Sequence, residues 1–123
     1  MNKYALALLE RFKAVFQSEI GAPCTGLFHQ NRLCIFKPEA PAGPFPVAQW
    51  SIFLPVDHFA SKVTWFMQNR VVNGTSLDVL VHPNTGCEVE DHTWWAFWGG
   101  EKWRLNVDKL SHDSPFPWKY DGN

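Results

Sequence analysis

The sequence predicts an α+β fold, an antiparallel sheet with two helices packed on one face. Three observations carry this expectation. Apolar residues recur at helical spacing in two separate stretches, one near the start of the chain and one around residues 59–67. Short runs around Trp50 and Leu105 alternate apolar and polar residues, as half-buried strands do. The helical and strand patterns are segregated, which is how helices layered on an antiparallel sheet read in sequence.

The elements follow in order. Ala5, Leu8, Leu9, Phe12, Val15 and Phe16 share one helical face, with Glu10, Lys13 and Gln17 opposite, and Gly21 and Pro23 end the helix. Leu27 to Phe36 is apolar enough for one or two short strands. Four prolines between Lys37 and Pro46 exclude regular structure there and mark a loop. Ala48, Trp50, Ile52 and Leu54 form one face of a strand that Pro55 stops. Asp57 is placed to cap a second helix, because its carboxylate can accept from first-turn N–H groups. Phe59, Val63, Phe66 and Met67 make that helix's buried stripe, and Asn73-Gly74 is a turn.

Leu77 to Val81 reads as a short apolar strand, with a turn at Pro83-Asn84-Thr85-Gly86. Thr93 to Trp98 reads as another strand, and Gly99-Gly100 as a hairpin turn into the alternating Trp103, Leu105 and Val107. Residues 1–110 therefore form a single domain, and residues 111–123 a docked or loose C-terminal extension. The order matches a ferredoxin-like plait whose N-terminal strand is missing.

Composition narrows the function. A net charge of -1 with scattered Lys and Arg argues against a nucleic-acid or anionic-membrane partner. Glu10, Arg11 and Lys13 interrupt the first apolar stretch, so it does not read as a signal peptide. No segment reaches the length of a membrane helix, and the expected location is cytoplasmic. Cys24, Cys34 and Cys87 are odd in number and lack CxxC spacing. Reduced thiols are expected, with neither a disulfide framework nor a zinc cluster. Seven tryptophans suit an ordinary core first, and also an aromatic-lined pocket or a subunit interface.

The chemical candidates cluster late in the chain. His82 sits at a strand end beside a turn, where a rigid scaffold can present a functional group. His92 follows Glu88, Glu90 and Asp91, and a carboxylate can orient an imidazole by accepting its N–H. The competing readings are a histidine that bonds only the turn backbone and a solvated acidic loop. His58 and His112 read as structural or solvent-exposed. There is no Gly-rich phosphate loop, no Gly-x-Ser-x-Gly elbow and no His-Glu-x-x-His.

Ser76 to Gly86, then Asp91-His92 and Ala96-Phe97-Trp98-Gly99-Gly100, together resemble the DOPA 4,5-dioxygenase family, with the likeness running from the first helix to about Leu110. Trp65 to Arg70 is similar to the end of that family's second helix, and Gly43-Pro44-Phe45-Pro46 to its Gly-Pro-His-Pro loop. Two departures stand out: the family's opening strand with a His-x-His motif has no counterpart here, and Phe45 stands at the loop histidine. The resemblance implies a non-haem iron enzyme that opens the ring of DOPA or a related catechol with O2. It implies His82 and His92 as catalytic residues, with His82, His92, His29 and Asp91 as candidate ligands of Fe(II) and Glu88 or Glu90 as other carboxylates. Trp50, Trp94 and Trp98 are the candidate walls of a pocket for a small aromatic substrate. The alternative is a divergent or truncated, non-catalytic member that binds small molecules or partners. Losing the first strand would uncover a sheet edge that a second copy could cover, so a homodimer is expected.

Overall fold

The structure is a computed structural model that describes residues 2–25, 30–37 and 44–111. It is an α+β chain whose strands, among the described residues, form three two-stranded antiparallel sheets. The chain divides into two compact units, one built from residues 1–40 and 48–77, the other from 41–47 and 78–123.

The first unit is organised around one phenylalanine. Helix α1 spans Lys3–Val15, with the Asn2 side chain accepting from the Tyr4 N–H at 2.7 Å. Its inward face buries Leu8, Leu9 and Phe12, as the spacing predicts, and Phe12 is 0% exposed. The Phe12 ring stacks on Phe66 at 5.3 Å and meets Trp65 edge-on at 5.8 Å and Phe16 at 5.1 Å. Strands β1 (Cys34–Ile35) and β2 (Ile52–Phe53) pair antiparallel, Cys34 opposite Phe53. Trp50, Ile52 and Leu54 point to the same core, in keeping with the predicted alternation. The Trp50 ring packs on Phe12 and Phe66, and its Nε1–H donates to the Ala5 carbonyl at 2.8 Å. Strands β3 (Val71–Val72) and β4 (Thr75–Ser76) form a hairpin through Asn73 and Gly74. Both turn residues have positive φ, 50° and 79°, which is why Asn-Gly is favoured there.

Helix α2 (Phe59–Asn69) departs from the sequence expectation in two ways. The chain enters it through a single 3-10 turn, Val56–His58, and Asp57 makes no capping hydrogen bond. The helix is also rotated. Phe66 is buried as expected, but Phe59 and Met67 face outward and Lys62 faces inward. Lys62 tolerates burial because its Nζ bonds the Glu19 carboxylate and lies 4.6 Å over the Phe16 ring. His58 Nδ1 lies 3.6 Å from the same carboxylate.

The cysteines are a second correction, since Cys24 and Cys34 are joined in a disulfide and only Cys87 is free. The Cys24 N–H donates to the Ile35 carbonyl at 3.1 Å, which lays residue 24 alongside β1. That pairing brings the two Cα atoms to 5.2 Å, within the range a disulfide spans. Sequence spacing carries no trace of it.

In the second unit, β5 (Val79–Val81) pairs antiparallel with β6 (Phe97–Gly99), Leu80 opposite Trp98. Between them lies a short helix, α3 (Glu88–His92), where the sequence reading has only an acidic stretch. Residues 93–95 form a turn, so the strand expected over Thr93 to Trp98 begins only at Phe97. The strand expected at Trp103 to Val107 does not form. Asp78 instead accepts from the Glu101 N–H and from Trp103 Nε1, both at 2.8 Å, which holds that segment as an irregular strap. A 3-10 turn, Val107–Lys109, follows. Leu105 is buried, and the Asn106 N–H bonds the Pro44 carbonyl at 2.7 Å. Among the described residues no helix is long and apolar enough to cross a membrane.

The disulfide restricts the unfolded chain over a ten-residue separation. Replacing both cysteines with alanine is expected to lower stability by about 3 kcal/mol in the chain-entropy account. Urea unfolding checks it, and reducing the native protein should give a similar loss.

Candidate functional site

The second unit brings His82 and His92 together. Strand β5 delivers His82. By strand alternation residue 82 continues the face of Leu80, which Trp98 shares through the β5–β6 register. The chain then turns, with Gly86 at a φ of 95°. It enters α3, whose last residue is His92. The two imidazole centroids lie 4.1 Å apart with planes inclined by 34°.

Asp91 fixes this arrangement. It is 3% exposed, and its two carboxylate oxygens accept from the Thr85 backbone N–H at 2.9 Å and the Thr85 hydroxyl at 2.7 Å. Thr85 Oγ1 in turn accepts from the Cys87 N–H at 3.2 Å. The turn that follows His82 is thereby tied to the residue beside His92. Thr93 Oγ1 donates to the Val89 carbonyl at 2.6 Å and closes the other end of the short helix.

Each imidazole is also oriented by a backbone carbonyl. His82 Nδ1 lies 2.8 Å from the Pro83 oxygen and His92 Nδ1 2.7 Å from the Glu88 oxygen. A carbonyl oxygen can only accept, so each Nδ1 carries the proton and each neutral ring keeps a lone pair on Nε2. Metal-ligating histidines are commonly oriented this way, through an N–H held by a carbonyl or carboxylate. Burial, and then the neighbouring His82 ring, hold the His92 pKa below the ordinary histidine value. Its hydrogen bond to the Glu88 carbonyl and the Asp91 and Glu88 carboxylates pull the other way and do not prevail. Phe45 completes the setting, with its ring edge-on to His92 at 6.1 Å.

Two adjacent neutral imidazoles are the kind of nitrogen donors that a divalent metal ion takes. A facial iron site also needs a carboxylate, and the Asp91 and Glu88 carboxylates that act on His92 are both held in other hydrogen bonds. Asp91 is engaged with Thr85, and Glu88 accepts from the Ser111 N–H at 2.6 Å. Glu90 is buried, with one carboxylate oxygen lacking a hydrogen-bond partner. It lies two residues from His92, so it projects from the other side of the helix. Among the described residues no group of three or more His, Cys, Asp or Glu is placed to hold a metal ion.

The other candidates fall in different places. Trp98 is half-buried on the face of Leu80, and Trp94 is 52% exposed. Trp50 belongs to the aromatic core of the first unit. His29 lies outside the described residues. Sequence reasoning missed Thr85 and the contact of Phe45 with His92. The one sequence hint at Thr85 is the Thr-x-x-Glu spacing of Thr85-Gly86-Cys87-Glu88, which marks helix starts, although α3 begins at Glu88 with Cys87 and not Thr85 at its cap.

Comparison with known proteins gives these features a context. The family model described as the Dopa 4,5-dioxygenase family matches residues 1–109. A DOPA 4,5-dioxygenase from Amanita muscaria is 37% identical over 70 residues, covering 57% of this chain and 29% of that protein. An uncharacterized 21.2 kDa protein from Botryotinia fuckeliana is 37% identical over 78 residues, covering 56% of this chain and 40% of its own. The matched stretches thus span less than half the length of these curated relatives. A crystal structure of a candidate dioxygenase from Nostoc punctiforme superposes with a TM-score of 0.65, covering 89% of this chain and 83% of that one. At 23% identity this is a likeness of fold.

Two outcomes follow from the geometry. Asp91→Ala removes the two hydrogen bonds that the buried carboxylate accepts from the exposed Thr85 and, since bonds to a charged group are among the stronger ones, is expected to lower stability by about 1–3 kcal/mol, whereas Thr85→Ser, which keeps both donors, should cost far less in the same denaturant titration. The folded protein also resists protonating His92 while the unfolded chain does not. Its contribution to stability is therefore intact above the ordinary histidine pKa and is lost as pH falls through that range toward the lowered folded value. A histidine NMR titration of the metal-free protein should give a His92 midpoint below that of a free histidine.

Proposed function

The chain belongs to the Dopa 4,5-dioxygenase family, and from that membership we propose that it is an extradiol dioxygenase which opens the ring of DOPA or a related catechol with O2. The observation that carries the reading is the His82–His92 pair, two adjacent imidazoles with both Nδ1 protons held by backbone carbonyls. They are the residues that would hold Fe(II). When bound, ferrous iron would supply a redox-active Lewis acid with positions open to substrate.

The chain's own groups have definite tasks in this reading. The Asp91–Thr85 clamp holds the imidazoles at fixed separation, so ligand geometry exists before substrate arrives. Nε2 of a neutral imidazole either ligates or accepts the proton of a catechol hydroxyl, one role at a time. Burial keeps His92 in its neutral, lone-pair-bearing form near neutral pH. The Phe45 ring against His92 excludes water on that side. Trp98, on the strand face that leads to His82, is the wall we assign to the catechol ring. We extend the fold reading in the same way to a ferredoxin-like plait, which the order of helix, strand and helix supports.

A second reading, a non-catalytic protein that binds small molecules or partners, has its own observation in favour. Asp91 is committed to Thr85, and among the described residues no carboxylate completes a metal-holding group with the imidazoles.

One experiment separates the two. The protein is loaded with Fe(II) without oxygen, then given L-DOPA and air. A yellow ring-cleavage chromophore is expected, with activity falling at least a hundredfold in His82→Ala. A folded sample that produces no colour and takes up no iron leaves the binding-protein reading.

A further inference from the structure

Helix α2 turns a second apolar stripe outward. Phe59, Ala60, the half-buried Val63 and Met67 recur at helical spacing along it, and Val56 extends the stripe from the preceding 3-10 turn. Val56 is 92% exposed, Met67 64% and Phe59 46%. The other exposed residues of the helix, Ser61, Thr64 and Gln68, are uncharged. Its one charged residue, Lys62, is buried against Glu19. A surface helix ordinarily carries its charges on the outer face. This one carries none, and an uncharged, partly apolar outer face is what a contact surface looks like.

We propose that two copies of this chain pair through α2, with the helices antiparallel about a two-fold axis near Val63. A two-fold contact must be complementary to itself, because each residue pair occurs twice with the roles exchanged. Antiparallel pairing centred on Val63 meets that condition. It sets Phe59 of one copy against Met67 of the other at both ends of the stripe, a thioether on an aromatic ring. It also brings Asp57, exposed in the 3-10 turn that leads into one helix, near the half-buried Arg70 at the end of the other, whose guanidinium also donates to the Leu77 carbonyl at 3.1 Å. The charges are opposite, and the helix dipoles run in opposed directions. A parallel arrangement would instead set Asp57 beside Asp57 and Arg70 beside Arg70. A strongly charged partner would find no opposite charge along the stripe, which favours another copy of the same chain.

The sequence argues for a dimer through an uncovered sheet edge, whereas the structure points to a different surface. One helix face is small beside the roughly 800 Å² per partner of a standard interface, so the association should be weak, with a dissociation constant of about 10–100 µM.

The test is sedimentation velocity on the full chain across roughly 2 to 400 µM, a range that brackets the expected dissociation constant. The mass should rise from the 14.1 kDa of one chain towards twice that value. Met67→Glu and Ala60→Glu lie at exposed positions and should keep the circular dichroism spectrum and Tm of the parent, yet each should weaken dimerisation at least tenfold by burying an unpaired charge in the apolar contact. A parent that stays monomeric to the highest concentration overturns the proposal. So does a Met67→Glu variant that dimerises as tightly as the parent.

Discussion

The arrangement of the second unit depends on one buried carboxylate. Asp91 is drawn out of water and compensated by two donors of a single residue, the N–H and hydroxyl of Thr85. Buried carboxylates are tolerated only when their oxygens are satisfied in this way. The consequence is geometric. Thr85 lies three residues after His82, and Asp91 immediately precedes His92. Joining them leaves little freedom in the separation of the two imidazoles. A five-residue helix such as α3 could not hold itself in isolation, so the clamp also accounts for its existence. Both oxygens of this carboxylate are used in holding Thr85, and among the described residues it forms no metal-holding group with the imidazoles, which is why Asp91 is read as a structural residue.

The first unit rests on a different principle. Phe12 is enclosed by Phe16, Trp50, Trp65 and Phe66, so one aromatic cluster joins α1, α2 and the segment leading into β2. Lys62 sits at the edge of this cluster, with its charge met by Glu19 and its amine over the Phe16 ring. The disulfide between Cys24 and Cys34 ties the chain after α1 to β1. Packing sets the geometry here, whereas in the second unit hydrogen bonds to backbone groups do so.

Much of this was legible in sequence, and the failures have identifiable causes. Leu8, Leu9 and Phe12 were readable as a buried face because a long helix repeats its signal over several turns. The existence of α2 was readable too, but its rotation was not. Lys62 reads as polar until Glu19, far away in sequence, supplies the partner that lets it turn inward, displacing Phe59 and Met67 to the surface. The disulfide depends on a backbone pairing of Cys24 with Ile35 that no spacing rule encodes. The segment after Gly100 alternates like a strand, yet Asp78 captures its donors first. At the site, His82 and His92 stood out as a pair, whereas the carbonyls that orient them belong to the folded backbone alone. Trp50 shows the limit of residue type as a guide, since the same ring that suits a substrate pocket is here a member of the aromatic core.

The central claim is that the fold holds His82 and His92 as Nδ1–H imidazoles whose Nε2 lone pairs are available together. A long-range proton–nitrogen NMR spectrum of histidine-labelled protein near pH 7.5, before and after one equivalent of Zn(II), tests this directly. The account predicts the Nδ1–H tautomer for both residues and a coordination shift at both Nε2 atoms at one-to-one stoichiometry. An Nε2–H tautomer at either histidine, or a shift confined to one of them, would contradict it.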